Sequence, residues 1–145
     1  MGKPYIMLID DEVPFVETMS KRLNKRGLRV ITAFSGEEAL AKLDKNREVD
    51  VIVLDVKMPG MDGLETLTEI KKGHPLKEVI MLTGHATIET AIDGMKLGAF
   101  DYLMKPCDMD VLMAKVEEAA AKKQKHKDKI EKARIEEIMS TRSIS

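Results

Sequence analysis

The chain has 145 residues, 43% of them hydrophobic and 34% charged, which suits one folded domain with a short appendage and excludes a disordered chain. The net charge of −1 argues against wholesale nucleic-acid binding, yet residues 1–114 carry 15 basic and 19 acidic side chains and residues 115–145 carry 9 and 6. Cys107 is the only cysteine, so no internal disulfide forms, and with no signal peptide and no apolar run of about 20 residues the chain is expected to be cytoplasmic.

Tyr5–Ile9 (YIMLI) is a short apolar run ending in acids and predicts a buried strand. Residues 12–26 place Phe15, Val16, Met19 and Leu23 at helical spacing, and Gly27 is a natural stop. Residues 28–34 are rich in β-branched side chains and predict a second strand. Ser35 followed by Glu38 is a capping-box signature for a helix running to about Asn46. Residues 50–55 contain VIVL, a third and central strand. The Pro and Gly content of Met58-Pro59-Gly60-Met61-Asp62-Gly63 marks a loop. A helix over 64–72, a strand over 79–82, a helix over 87–97 and a strand over 100–104 follow. Asp108 then caps a last helix. From Lys122 the sequence turns polar (KKQKHKDKIEKARIEE) and carries no heptad seam. The spacing predicts that the last helix continues into 122–145 as a charged extension, fraying from about Ser140.

Strict alternation of five strand–helix units predicts an α/β domain, a parallel sheet with helices on both faces. Ligands of such sheets bind outside the carboxyl ends of the strands. Strand one ends in Asp10 and Asp11, with Glu12 next. Strand three ends in Asp55, strand four in Thr83 and strand five in Lys105. Strand two ends without a reactive group, as suits an edge. Taken singly, each residue reads as a cap, a turn hydroxyl or a solvated charge. Taken together, three carboxylates, a hydroxyl and an ammonium converge on one rim. Clustered carboxylates favour a divalent cation, and oxygen-only ligation suits Mg²⁺ or Mn²⁺. A carboxylate can also attack phosphorus, with a metal and a lysine stabilising the transferring phosphoryl. His74, His85 and His126 lack metal-ligand spacing, and Cys107 lacks a base and reads as a packing residue.

LIDDE at 8–12, VIVLDVKMPGMDG at 51–63, MLTGHA at 81–86 and GAFDYLMKP at 98–106 occur in this order and spacing. Residues 4–121 thereby resemble the receiver domain of two-component response regulators, of the chemotaxis-regulator kind. The resemblance implies a flavodoxin-like, doubly wound five-stranded parallel sheet of order 2-1-3-4-5. It implies that Asp55 is the phosphoacceptor, served by a histidine kinase or phosphotransfer protein. Asp11, Asp55 and the backbone carbonyl of Lys57 would ligate Mg²⁺, with Asp10 supporting. Thr83 would be the switch hydroxyl, Lys105 the phosphate-pairing ammonium and Tyr102 the switch aromatic, with a cis bond before Pro106. The surface of helix four, strand five and helix five would then change and be read by a downstream protein, or by a second copy through that surface or the terminal helix.

Lys57 and His85, each two residues past a rim residue, are expected to tune the lifetime of the aspartyl phosphate. A phosphohydrolase using Asp55 on an external substrate is the competing reading. Enzymes of the haloacid-dehalogenase kind carry a second acid where this chain has Lys57, so the expectation is a non-enzymatic switch. The lysines of the extension are expected to be a solvated face and to contact neither nucleic acid nor membrane. With no output domain in these 145 residues, the chain reads as a stand-alone receiver or as part of a longer regulator.

Overall fold

The computed structural model describes residues 3–58, 60–84 and 87–144, apart from the side chains of 142–144. Pro59 and His85, both singled out in the sequence, lie outside the described residues. Five strands alternate with five helices: β1 (Tyr5–Ile9), α1 (Val13–Lys25), β2 (Arg29–Ala33), α2 (Gly36–Lys45), β3 (Val51–Leu54), α3 (Gly63–Gly73), β4 (Glu78–Thr83), α4 (Ile88–Lys96), β5 (Asp101–Met104) and α5 (Met109–Ile144). All pairings are parallel, in the order β2-β1-β3-β4-β5. The expected fold is therefore the one observed, with element ends moved by a residue or two.

Alternation along the strands divides the core into two layers. Met7, Ile9, Ile52, Leu54, Val79 and Met81 point to the side of α2 and α3, where they meet Leu43, Leu67 and Ile70. Ile6, Leu8, Val51, Val53, Ile80 and Leu82 point the other way, onto Val16 and Leu23 of α1 and Leu112 and Val116 of α5. Strands covered on both faces are apolar at nearly every position, which is why β1, β3 and residues 79–82 of β4 read as unbroken runs. Each such side chain, once fully buried, contributes roughly 1.5–3 kcal/mol.

Local signals set the helix starts. Ser35 Oγ accepts the Glu38 amide at 3.1 Å, but Glu38 Oε2 takes the Phe34 amide at 3.0 Å instead of the cap residue's own. Asp62 caps α3 by accepting the Glu65 amide at 2.9 Å, and Asp108 caps α5 by accepting the Asp110 amide at 2.8 Å. Cys107 packs against the α1–α5 layer, as expected, and burial together with the charge of Asp108 raises its thiol pKa. In α4 only Gly94 is buried. A β-carbon there would lie 2.1 Å from Met81 Cε, so the glycine lets α4 approach β4 closely.

The sequence underestimates one element. α5 continues to Ile144 instead of fraying from Ser140, and the Thr141 hydroxyl bonds back to the Glu137 carbonyl at 2.9 Å. Every described side chain from Lys125 onward is exposed, Ile135 and Met139 included. Among the described residues, no helix is long and apolar enough to cross a membrane.

Candidate phosphoryl and metal site

In this strand order the chain reverses its winding direction between β1 and β3, which opens a crevice at their carboxyl ends. Asp10 and Asp55 lie one residue past those ends. Their amides extend the ladder, Asp10 N–H donating to the Ala33 carbonyl at 3.1 Å and Asp55 N–H to the Ile9 carbonyl at 2.9 Å. Both carboxylates are therefore fixed by the sheet and buried, at 3% and 2% exposure. Asp11, the next residue, turns out to solvent. One oxygen from each of Asp10, Asp11 and Asp55 lies within 4.8 Å of the other two.

Lys105 arrives from the end of β5. Its amide donates to the Thr83 carbonyl at 3.0 Å, which continues the β4–β5 ladder, and the following bond to Pro106 is cis, as the resemblance implies. The ammonium lies 2.5 Å from Asp10 Oδ2, 3.1 Å from Glu12 Oε1 and 3.9 Å from Asp55 Oδ2. It also sits 4.0 Å from the centroid of the Phe15 ring, a cation–π contact. Burial disfavours this charge, but the bonds to Asp10 and Glu12, with the charges of Asp10 and Asp55, outweigh it and raise the Lys105 pKa. The Asp10 pKa is also raised, chiefly by burial; Lys105 and the Glu12 amide work against that, and the Asp55 charge adds to it.

Asp55 Oδ1 faces the Lys57 amide at a long 3.4 Å, and the Lys57 side chain is exposed. Gly63 closes the loop behind Asp55: its amide donates to the Val56 carbonyl at 2.7 Å. A β-carbon at Gly63 would lie 2.3 Å from the Asp55 carbonyl oxygen and 2.4 Å from Val56 Cα, so only glycine fits. The loop is tied on its far side by Glu37 Oε1, which accepts the Met61 amide at 3.2 Å.

Thr83 is fully buried at the end of β4, opposite Met104 of β5. Tyr102 pairs with Met81 and packs against the α2–α3 layer. Its hydroxyl donates to the Met104 thioether at 3.1 Å, and Met104 is itself half exposed. Burial raises the Tyr102 pKa.

The structure thus brings Asp10, Asp11, Asp55 and Lys105 into one cluster, with Thr83 on the strand between Asp55 and Lys105. Tyr102 stands apart at the sheet edge. Two contributors have no role legible in the sequence. Glu12 reads there only as a further acid on the rim, and Phe15 as one residue of a helix core face. No pattern along the chain marks the contact of Phe15, because it depends on where the side chain of Lys105, remote in sequence, is laid.

The chemistry of the donor set fits a hard divalent cation: three carboxylates, all oxygen, two held rigid and one open to water. The same carboxylates and ammonium suit a phosphoryl group in transfer, whose charge is spread over several oxygens.

Comparison with known proteins agrees with this geometry. The family model of the response regulator receiver domain matches residues 6–117. The transcriptional regulatory protein ZraR of Salmonella typhimurium is 38% identical over 120 residues, 83% of this chain and 27% of that protein. The DNA-binding transcriptional regulator NtrC of the same organism is 39% identical over 119 residues, 82% of this chain and 25% of that one. The chain therefore spans about a quarter of the length of these curated relatives. A crystal structure of a response regulator receiver domain protein from Clostridium thermocellum superposes with a TM-score of 0.80 at 38% identity, covering 83% of this chain and 97% of that one.

Proposed function

Because the chain belongs to the response regulator receiver domain family, in which phosphorylation of an aspartate is the general mechanism, we propose that Asp55 is the residue that accepts the phosphoryl group. The carrying observation is the cluster itself: Asp10, Asp11 and Asp55 within 4.8 Å of one another, with the Lys105 ammonium 3.9 Å from Asp55. Asp55 attacks phosphorus through a carboxylate oxygen and the leaving group departs with the P–O or P–N electron pair. A histidine kinase or phosphotransfer protein is the proposed donor. Asp11, Asp55 and the Lys57 carbonyl would hold Mg²⁺, or Mn²⁺ in its place, with Asp10 supporting. When bound, the cation supplies neutralisation of charge building on the phosphoryl oxygens.

Lys105 is the second neutralising group. With the phosphoryl in place it turns from Asp10 and Glu12 toward the new oxygens. Thr83, fixed by β4, offers its hydroxyl to the same group. Tyr102 reports the change at the β5 edge, where α4 meets the sheet with little buried apolar surface. Weak anchoring of an element makes it a natural moving part. The α4–β5–α5 surface carries exposed Ile88, Ile92, Met95 and Met104, and a downstream protein or a second copy is the proposed reader. Pairing through the extension of α5 is the other proposed route to a homodimer. The switch acts in the cytoplasm and turns over no external substrate. DNA contact, which the name NtrC carries for that relative, is not proposed for these residues.

The test is incubation with a small-molecule phosphodonor and Mg²⁺, followed by intact mass. One phosphoryl group is expected on the wild type and none on Asp55→Asn. Equal labelling of both, or sustained hydrolysis of a generic phosphate ester, refutes the assignment.

A further inference from the structure

At the opposite pole of the sheet, the α2–β3 turn, the α3–β4 turn and α5 border an open cleft of about 350 Å³. Arg47, Lys77, Lys123 and Lys127 line it with His74, and Pro75 and Leu76 supply an apolar wall. Its volume lies within the range of small-molecule sites. Two of its basic side chains are already engaged. Lys123 pairs with Asp50 at 2.6 Å, and His74 Nε2 lies 3.1 Å from Asp44. Arg47 and Lys127 are exposed, and their side chains make no ion pair among the described residues.

Lys77 also lines the cleft and is only 5% exposed. Its ammonium donates to the Arg47 and Val49 carbonyls, both at 2.6 Å. An ammonium has three N–H donors, so these two bonds leave one. Burial, and then the charge of Lys123, lower its pKa to about 8, against the opposing pull of Asp50 and Glu48. Arg47 lowers it too, so Asp50 and Glu48 offset the burial and the like charges only in part, and a further anion at the cleft would favour the charged form.

We propose that this cleft binds a small phosphomonoester, its dianionic phosphoryl against Lys77, Arg47 and Lys127 and its organic part against Pro75 and Leu76. A guanidinium gives paired donors and ammonium groups give point charges, a set that suits tetrahedral phosphoryl oxygens. The apolar wall distinguishes an ester from free phosphate. Because α5 contributes Lys123 and Lys127, an occupant fastens the helix to the domain body where its extension departs. The site is separate from the Asp55 cluster and does not rest on the phosphoacceptor reading.

The test is an amide-resolved NMR titration of the full chain without divalent metal, with AMP, inorganic phosphate and adenosine as probes. AMP is expected to bind saturably, shifting amides at 47–49, 74, 76, 77 and 123–127, and at least about tenfold tighter than either other probe. The double variant Arg47→Glu, Lys127→Glu changes only exposed side chains and is expected to weaken AMP about tenfold or more. Four results each overturn the proposal: no saturable shift with AMP, shifts confined to the Asp55 rim, equal affinity for AMP and phosphate, or an unaffected double variant.

Discussion

Magnesium should stabilise this fold, and Asp11→Asn should remove much of that effect. In the cluster, Asp10, Asp11 and Asp55, with the more exposed Glu12 beside them, oppose the single ammonium of Lys105, an excess of about two to three negative charges that one divalent cation largely neutralises. A ligand bound only by the native state at a hundred times its Kd adds about 2.7 kcal/mol of stability. For a chain of this length each kcal/mol moves Tm by roughly 2–4 °C, so a rise of roughly 5–10 °C is expected. Asp11 is exposed, so its replacement leaves the core intact but turns one charged oxygen ligand into a weaker neutral one. A tenfold weaker Kd at the same Mg²⁺ concentration lowers the stabilisation by about 1.3 kcal/mol, near half. Metal-free Asp11→Asn should also melt no lower than metal-free wild type, because one repelling charge is gone. The assay is thermal unfolding by circular dichroism in chelator and in Mg²⁺, at ionic strength matched with NaCl. An identical rise in Asp11→Asn would remove Asp11 from the site, and a wild-type rise no larger than with NaCl would remove the metal.

Gly63→Ala places a methyl 2.3 Å from the Asp55 carbonyl oxygen and should lower stability by about 1–3 kcal/mol in urea unfolding; no change would mean the loop yields freely. Lys57→Ala and His85→Ala should alter the decay of phosphorylated Asp55, followed by loss of the phosphoryl mass, and two unchanged rates would end that idea. Lys77 supplies a pH test: its folded pKa of about 8 lies below the ordinary 10.5, so between those values the unfolded chain holds more protons and stability rises with pH. The burial penalty is complete below pH 8 and gone above 10.5, at most about 3 kcal/mol in all. The stability of wild type relative to Lys77→Met should accordingly climb across that window in denaturant titrations, and a flat difference would show that Lys77 carries no such penalty.

The rim was legible because parallel strands make it so. Once the YIMLI and VIVL runs are recognised as buried strands, the residues after them must meet at one edge, whatever their separation in sequence. Asp10, Asp55 and Lys105 follow from that rule alone. Glu12 and Phe15 do not, because their roles depend on the path of one side chain. Lys105 lies across the mouth of the pocket toward α1, and only that path brings it to the Glu12 carboxylate and the Phe15 ring. α5 runs past Ser140 to Ile144, with the Thr141 hydroxyl bonded to the Glu137 carbonyl one turn back, and the polar, aperiodic sequence there carries no signal for where the helix ends.

The sequence by itself determined the order of the elements, the apolar identity of the sheet and the residues placed at its reactive edge. These depend on local periodicity and on what each strand end carries. Only the tertiary structure decided how charges pair across elements. It put Lys105 nearer to Asp10 than to Asp55, and it gathered Arg47, Lys77 and Lys127 around a cleft far from that edge. Coulomb energies and desolvation depend on distances of a few ångströms between residues remote in sequence, and no pattern along the chain encodes those distances.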